Sequence, residues 1–109
     1  LLKMGVPVDG VDEKGYTALY VATMYQRVDC VDHLLKAKAE VDKPNSNSVT
    51  PLMAAARDGY TAIVKLLLEA GADFAQVDEF GRTPDSVAEE KGFAETAEVV
   101  KEWAAGHPK

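Results

Sequence analysis

The sequence predicts an all-α solenoid of stacked helix–turn–helix units joined by β-turns. Three observations carry that prediction. Equivalent residues recur every 33 positions: Thr17, Thr50 and Thr83; Ala22, Ala55 and Ala88; Val31, Val64 and Ala97; Leu34, Leu67 and Val100. A fixed period of this length marks an array of identical supersecondary units. The stretch "TPLMAAARDGYTAIVKLLLEAGAD", residues 50–73, carries two helical patterns cut apart by Arg57-Asp58-Gly59. Finally, 109 residues with 47% hydrophobic content suit one globular domain, and no low-complexity tract or linker divides them.

Taken in order, the chain opens with "LLKMGVPVDGV", where Gly5 lies two periods before Gly71 and Asp9 one period before Asp42. It reads as the end of a preceding unit, and the absence of an initiator Met leads us to expect sequence upstream. The first full unit is placed by its echo of the next one. In that second unit Thr50 is suited to cap a helix, and Pro51 to occupy its first turn, where a missing N–H costs nothing. Leu52 to Ala56 are small and apolar, as a short helix wedged between neighbours requires. Gly59 permits the backbone conformation that reverses the chain. A second helix begins near Thr61, with Ile63, Leu66, Leu67 and Ala70 on one face, and Gly71 ends it. The third unit repeats the plan from Thr83, and Trp103 closes its last helix.

These residues resemble the ankyrin repeat. The stretch 50–73 is similar to that family's T-P-L-H-x-A-A-x-x-G…V-x-x-L-L-x-x-G-A-D pattern, with Met53 where His is usual. The resemblance covers nearly all of 1–109 as one domain: a repeat's tail at 1–11, then repeats at about 12–44, 45–77 and 78–105. Departures from the pattern are informative. Gln26 and Lys38 stand at glycine positions, so the first full repeat should carry backbone strain. Ser48 replaces a glycine in the second β-turn, where the other units have Gly15 and Gly81. Asp85 and Glu89 occupy positions that are normally apolar, and "DEFGRTP" looks like the start of a C-terminal capping repeat.

Composition and motifs exclude several kinds of chemistry. A net charge of −6 argues against a nucleic-acid partner, whose phosphates need clustered Lys and Arg. The acidic excess lies in 78–102 and reads as a solvated end. No apolar run approaches the ~18 residues of a membrane span. A lone Cys30 makes no internal disulfide, which points to a reducing compartment, cytoplasmic or nuclear. Cys30 sits at an Ile/Val position of the repeat and is expected to be a buried, inert thiol. His33 is expected to serve packing, and His107 falls in a terminal tail. Asp29 and Asp32 share a helix face without a third ligand, so no metal site is expected. No catalytic constellation, Gly-rich phosphate loop or cofactor site is legible.

The resemblance implies protein binding through the β-turn tips and the exposed side of each first helix, a continuous concave surface in a stacked array. Carried over residue by residue, the turn candidates are Lys14 and Tyr16, then Val49, then Phe80 and Arg82; Glu13, Ser46, Asn47 and Glu79 flank them. The helix candidates are Tyr20, Met24 and Tyr25, then Met53, Arg57 and Asp58, with Ser86, Glu90 and Lys91 in the last repeat. Met24 and Tyr25 are the expected anchors, because Tyr and Met favour hot spots. With Lys14 and Arg57 beside them, they suggest a partner segment with acidic flanks. The alternative is the ankyrin regulatory portion of a larger enzyme or channel, with the chemistry outside these residues. Leu1, Leu2, Met4 and Val6 are expected to leave the N-terminal end open for self-association.

Overall fold

Thr17, Thr50 and Thr83 each hold extended backbone (φ −81 to −86, ψ 163 to 167) immediately before a helix. In a computed structural model, which describes Val11 and residues 15–106, six helices follow in three pairs. They are α1 (Ala18–Met24) with α2 (Val28–Lys36), α3 (Pro51–Arg57) with α4 (Thr61–Glu69), and α5 (Pro84–Glu90) with α6 (Ala94–Gly106). Among the described residues no strand forms beyond an isolated bridge between Val11 and Thr17. Lys14, His107 and the apolar residues at 1–6 lie outside the described residues.

The first helices begin where the sequence places them, but their caps differ. Thr17 accepts from the Tyr20 N–H at 3.1 Å, and Thr50 from the Met53 N–H at 3.3 Å. Thr83 instead donates its hydroxyl to Asp85 at 2.6 Å, so the carboxylate competes for the group that would have capped α5. Each pair turns back at one residue of positive φ: Gln26 (56°), Gly59 (72°) and Gly92 (87°). The strain read from Gln26 and Lys38 (68°) is therefore present, since both occupy the left-handed region, and Ser48 (64°), at a turn glycine's position, joins them there.

Stacking puts α1, α3 and α5 in one layer and α2, α4 and α6 in the other. The core runs between the layers through Leu19, Leu34, Leu52, Ile63, Leu67 and Val100. On α4 the inner face is Ile63, Val64, Leu67 and Leu68; Leu66 is only partly buried and Ala70 is exposed, because the packed stripe is rotated by about one residue from the expected one. Polar groups inside are satisfied: Thr23 donates to the Leu19 carbonyl at 2.8 Å, and Thr61 and Thr96 share a hydrogen bond of 2.8 Å between adjacent repeats.

The far end of the stack is polar. Positions occupied by Leu52, Ala56 and Leu68 in the second repeat, all buried, become Asp85, Glu89 and Lys101 in the last. Lys101 pairs with Glu89 at 2.7 Å, which ties α6 to α5 across a face that no further repeat covers among the described residues. Trp103 packs against the core at the same end. This is what a C-terminal cap needs in order to leave its outer side in water.

Candidate functional site

The period turns the first helices and their preceding turns into a grid. Tyr16, Val49 and Arg82 occupy equivalent positions at the turns; Tyr20, Met53 and Ser86 come next along the helices; Met24, Arg57 and Glu90 follow, then Tyr25, Asp58 and Lys91. The surface therefore grades from aromatic and apolar in the first repeat to charged in the last.

Two candidates are less available than expected. Tyr20 is 3% exposed and Met53 2% exposed. The layer explains Met53: α3 lies between α1 and α5, so every residue from Pro51 to Ala56 is buried. Tyr20 lies beneath Tyr16, the rings stacked with centroids 4.8 Å apart and 9° between planes. Its hydroxyl accepts from the Asn45 side-chain amide at 3.2 Å. Burial raises the Tyr20 hydroxyl above its ordinary value, opposed by the nearby Arg57 guanidinium. Tyr20 and Met53 thus hold the scaffold from below.

The remaining described candidates are accessible. Tyr25 is 67% exposed and Phe80 73% exposed, while Tyr16, Met24, Val49, Arg57, Asp58 and Arg82 are half-buried. Arg57 contacts Asp58 at 3.5 Å, so its charge is shared with a neighbour. At the third turn, Asp78 accepts from the backbone N–H groups of Phe80 and Arg82, each at 2.9 Å. Its other oxygen takes the Arg82 guanidinium at 2.9 Å, and Arg82 reaches on to Glu90 at 3.1 Å. The Asp78 side chain is only 7% exposed, and that burial alone would raise its pKa; the hydrogen bonds from Arg82 and Phe80 outweigh it and hold the carboxyl below its usual value. The same guanidinium lies 5.2 Å from the Phe80 ring centroid, a cation–π contact that steadies an otherwise solvated ring.

Asn45 and Asp78 were missed as organisers of this surface. Asn45 accepts from the Asn47 and Val49 N–H groups as Asp78 does one period later. The signal was present, since Asp12, Asn45 and Asp78 are spaced by the same 33 residues and all can close a turn through a side-chain oxygen. His33 is exposed rather than packed, and Cys30 is half-buried rather than buried. Both stand on α2, which has no described helix pair on its N-terminal side. Among the described residues no group of three His, Cys, Asp or Glu could hold a metal ion, and no helix is long and apolar enough to cross a membrane.

Comparison with known proteins agrees with this geometry. Residues 37–105 match the sequence profile for ankyrin repeats in three copies, and residues 14–46 match that for a single ankyrin repeat. The chain is 37% identical to human ankyrin repeat and SOCS box protein 11 over 94% of its length and 31% of that protein's. It is 35% identical to the Schizosaccharomyces pombe glycerophosphocholine phosphodiesterase gde1, covering 96% of the chain and 9% of that protein. With the putative ankyrin repeat protein YahD of Escherichia coli it shares 30% identity over 95% of the chain and 50% of that protein. The chain thus spans at most about half the length of these relatives. By register, paired helices and sequence match alike, the chain belongs to the ankyrin-repeat family.

Proposed function

We propose that this domain binds a partner protein through the surface formed by its turn tips and first helices, and that it has no catalytic activity of its own. Ankyrin repeats are protein-interaction modules as a class, and this chain matches ankyrin regions of larger proteins. The observation that carries the specific reading is Tyr25, an aromatic ring left 67% exposed beside Met24 at the apolar end of the grid. Phe80 marks the opposite, charged end. Between them Arg57 is partly neutralised by Asp58, so the anchors act mainly through apolar contact.

A second reading is that the module serves as the regulatory part of a larger enzyme or channel. The likeness to a short portion of a phosphodiesterase favours it. Either way the single Cys30 suits a reducing compartment, cytoplasmic or nuclear.

The test uses a partner recovered by affinity capture and titrated by calorimetry. Truncating Met24 and Tyr25 together to Ala should weaken binding by about 2 kcal/mol or more, with little change in urea unfolding. Undiminished affinity would place the site elsewhere, and a large fall in stability would assign both residues to the scaffold.

A further inference from the structure

Departures that weaken a helix pair are gathered in the first repeat. Ala18 opens α1 where Pro51 and Pro84 open α3 and α5, so α1 lacks the ring that limits the unfolded chain. Thr23, buried in α1, donates its hydroxyl to the Leu19 carbonyl at 2.8 Å, where the equivalent residue of α3 is Ala56. A β-branched residue bonded back in this way loosens a helix slightly. Both ends of α2 then meet strained backbone. Gln26 and Lys38 hold φ of 56° and 68°, at positions where the second repeat has Gly59 and Gly71. Ser48, at 64°, stands in the turn that leads on to α3. Each of these features acts within residues 18–48.

The joint to the next repeat is also plainer. Thr61 of α4 and Thr96 of α6 share a hydrogen bond of 2.8 Å between their hydroxyls. One period earlier the same pair is Val28 of α2 and Ile63 of α4, which have no polar group to share. Across this joint the Asn45 amide donates to the Tyr20 hydroxyl at 3.2 Å, and the Asp73 N–H to Asp42 at 2.8 Å. We infer that α1 and α2 open together as one unit, at lower cost than α3 and α4, while the rest of the stack stays folded.

A linear array permits this, because each repeat contacts only its neighbours and stability divides into repeats and joints. Among the described residues the first repeat has one joint and the second has two. The third also has one, yet it keeps Gly81, Gly92 and Pro84 and gains the Lys101–Glu89 pair. Strain at two exposed residues, Gln26 and Lys38, multiplies the opening constant about tenfold, net of the extra entropy that glycine would lose. Met24 and Tyr25 are carried on the unit that opens, so the surface proposed above is whole only while α1 and α2 are closed. That consequence rests on the proposed function; the opening does not.

The test is native-state hydrogen exchange of the full chain, followed by mass spectrometry under conditions where rates report opening equilibria. Amides of α1 and α2 should share one protection factor, about tenfold or more below that of α3 and α4. Gln26→Gly combined with Lys38→Gly should raise it about tenfold. The matching pair of Ala substitutions keeps both Cβ atoms and should not. Val100→Ala removes core volume from the third repeat, and Gly71→Ala strains the end of α4 at φ 95°. Each should lower protection in its own repeat and leave α1 and α2 unchanged, whereas all-or-none unfolding would lower every helix equally. Should Val100→Ala not fold, Gly71→Ala decides alone. Equal protection in α1–α2 and α3–α4 would overturn the inference. So would unequal values for α1 and α2, the mark of one fraying helix, or a fall in their protection in a folded variant of the other repeats.

Discussion

Replacing Gln26 by Gly should stabilise this protein, although it removes a side chain and adds none. Gln26 is held at φ 56°, while its equivalents Gly59 and Gly92 stand at 72° and 87°. A residue with a Cβ in the left-handed region carries strain of about 1–2 kcal/mol. Glycine relieves that strain but loses about 0.5–1 kcal/mol more conformational entropy on folding. Gln26 is exposed, so little packing is lost, and its N–H to the Thr23 carbonyl (3.1 Å) is a backbone bond that any residue retains. The net gain should be about 0.5–1 kcal/mol. With a urea dependence of about 2 kcal/mol/M, the unfolding midpoint followed by circular dichroism should rise by about 0.3–0.5 M at constant slope. Gln26→Ala supplies the control, since it keeps the Cβ and should bring no such gain. A midpoint for the glycine variant at or below the parent's would refute the reasoning, as would an equal gain from Ala.

Two further outcomes test the turns. A Cβ built at Gly59 meets the Phe93 ring at 2.6 Å, whereas one at Gly71 (φ 95°) meets nothing within 4 Å. Gly59→Ala should therefore cost about 1 kcal/mol more than Gly71→Ala, and the excess should vanish in a Phe93→Ala background, measured as a double-mutant cycle. At the third turn, the folded Asp78 carboxyl titrates below its ordinary value of 3.8, so its contribution is present above that pH and is lost as pH falls through the lower folded value. Asp78→Asn should keep the turn, because Asn45 accepts the same pair of backbone bonds, and should flatten the loss of melting temperature below about pH 4. An unchanged acid profile would remove Asp78 from the account.

The sequence by itself determined the repeat, the helix pairs and the strained positions, because those are local matters set by spacing. Thr50-Pro51, Gly59 and Gly71 each act through the backbone of a few neighbouring residues, and a period of 33 brings the same signals round again. It also identified Gln26 and Lys38 as residues forced into the left-handed region by the register, and Ser48 as standing where the other turns have glycine. What it could not give was which side of each helix remains in water. Position in a repeat is identical for Tyr20, Met53 and Ser86, yet burial depends on the layers to either side and on the ring or side chain above, as Tyr16 covers Tyr20. The state of Arg82 was equally out of reach, since it finds Glu90 eight residues away only after α5 has formed. The tertiary structure decided exposure because it depends on the sum of neighbours from several repeats, which no single stretch of chain contains.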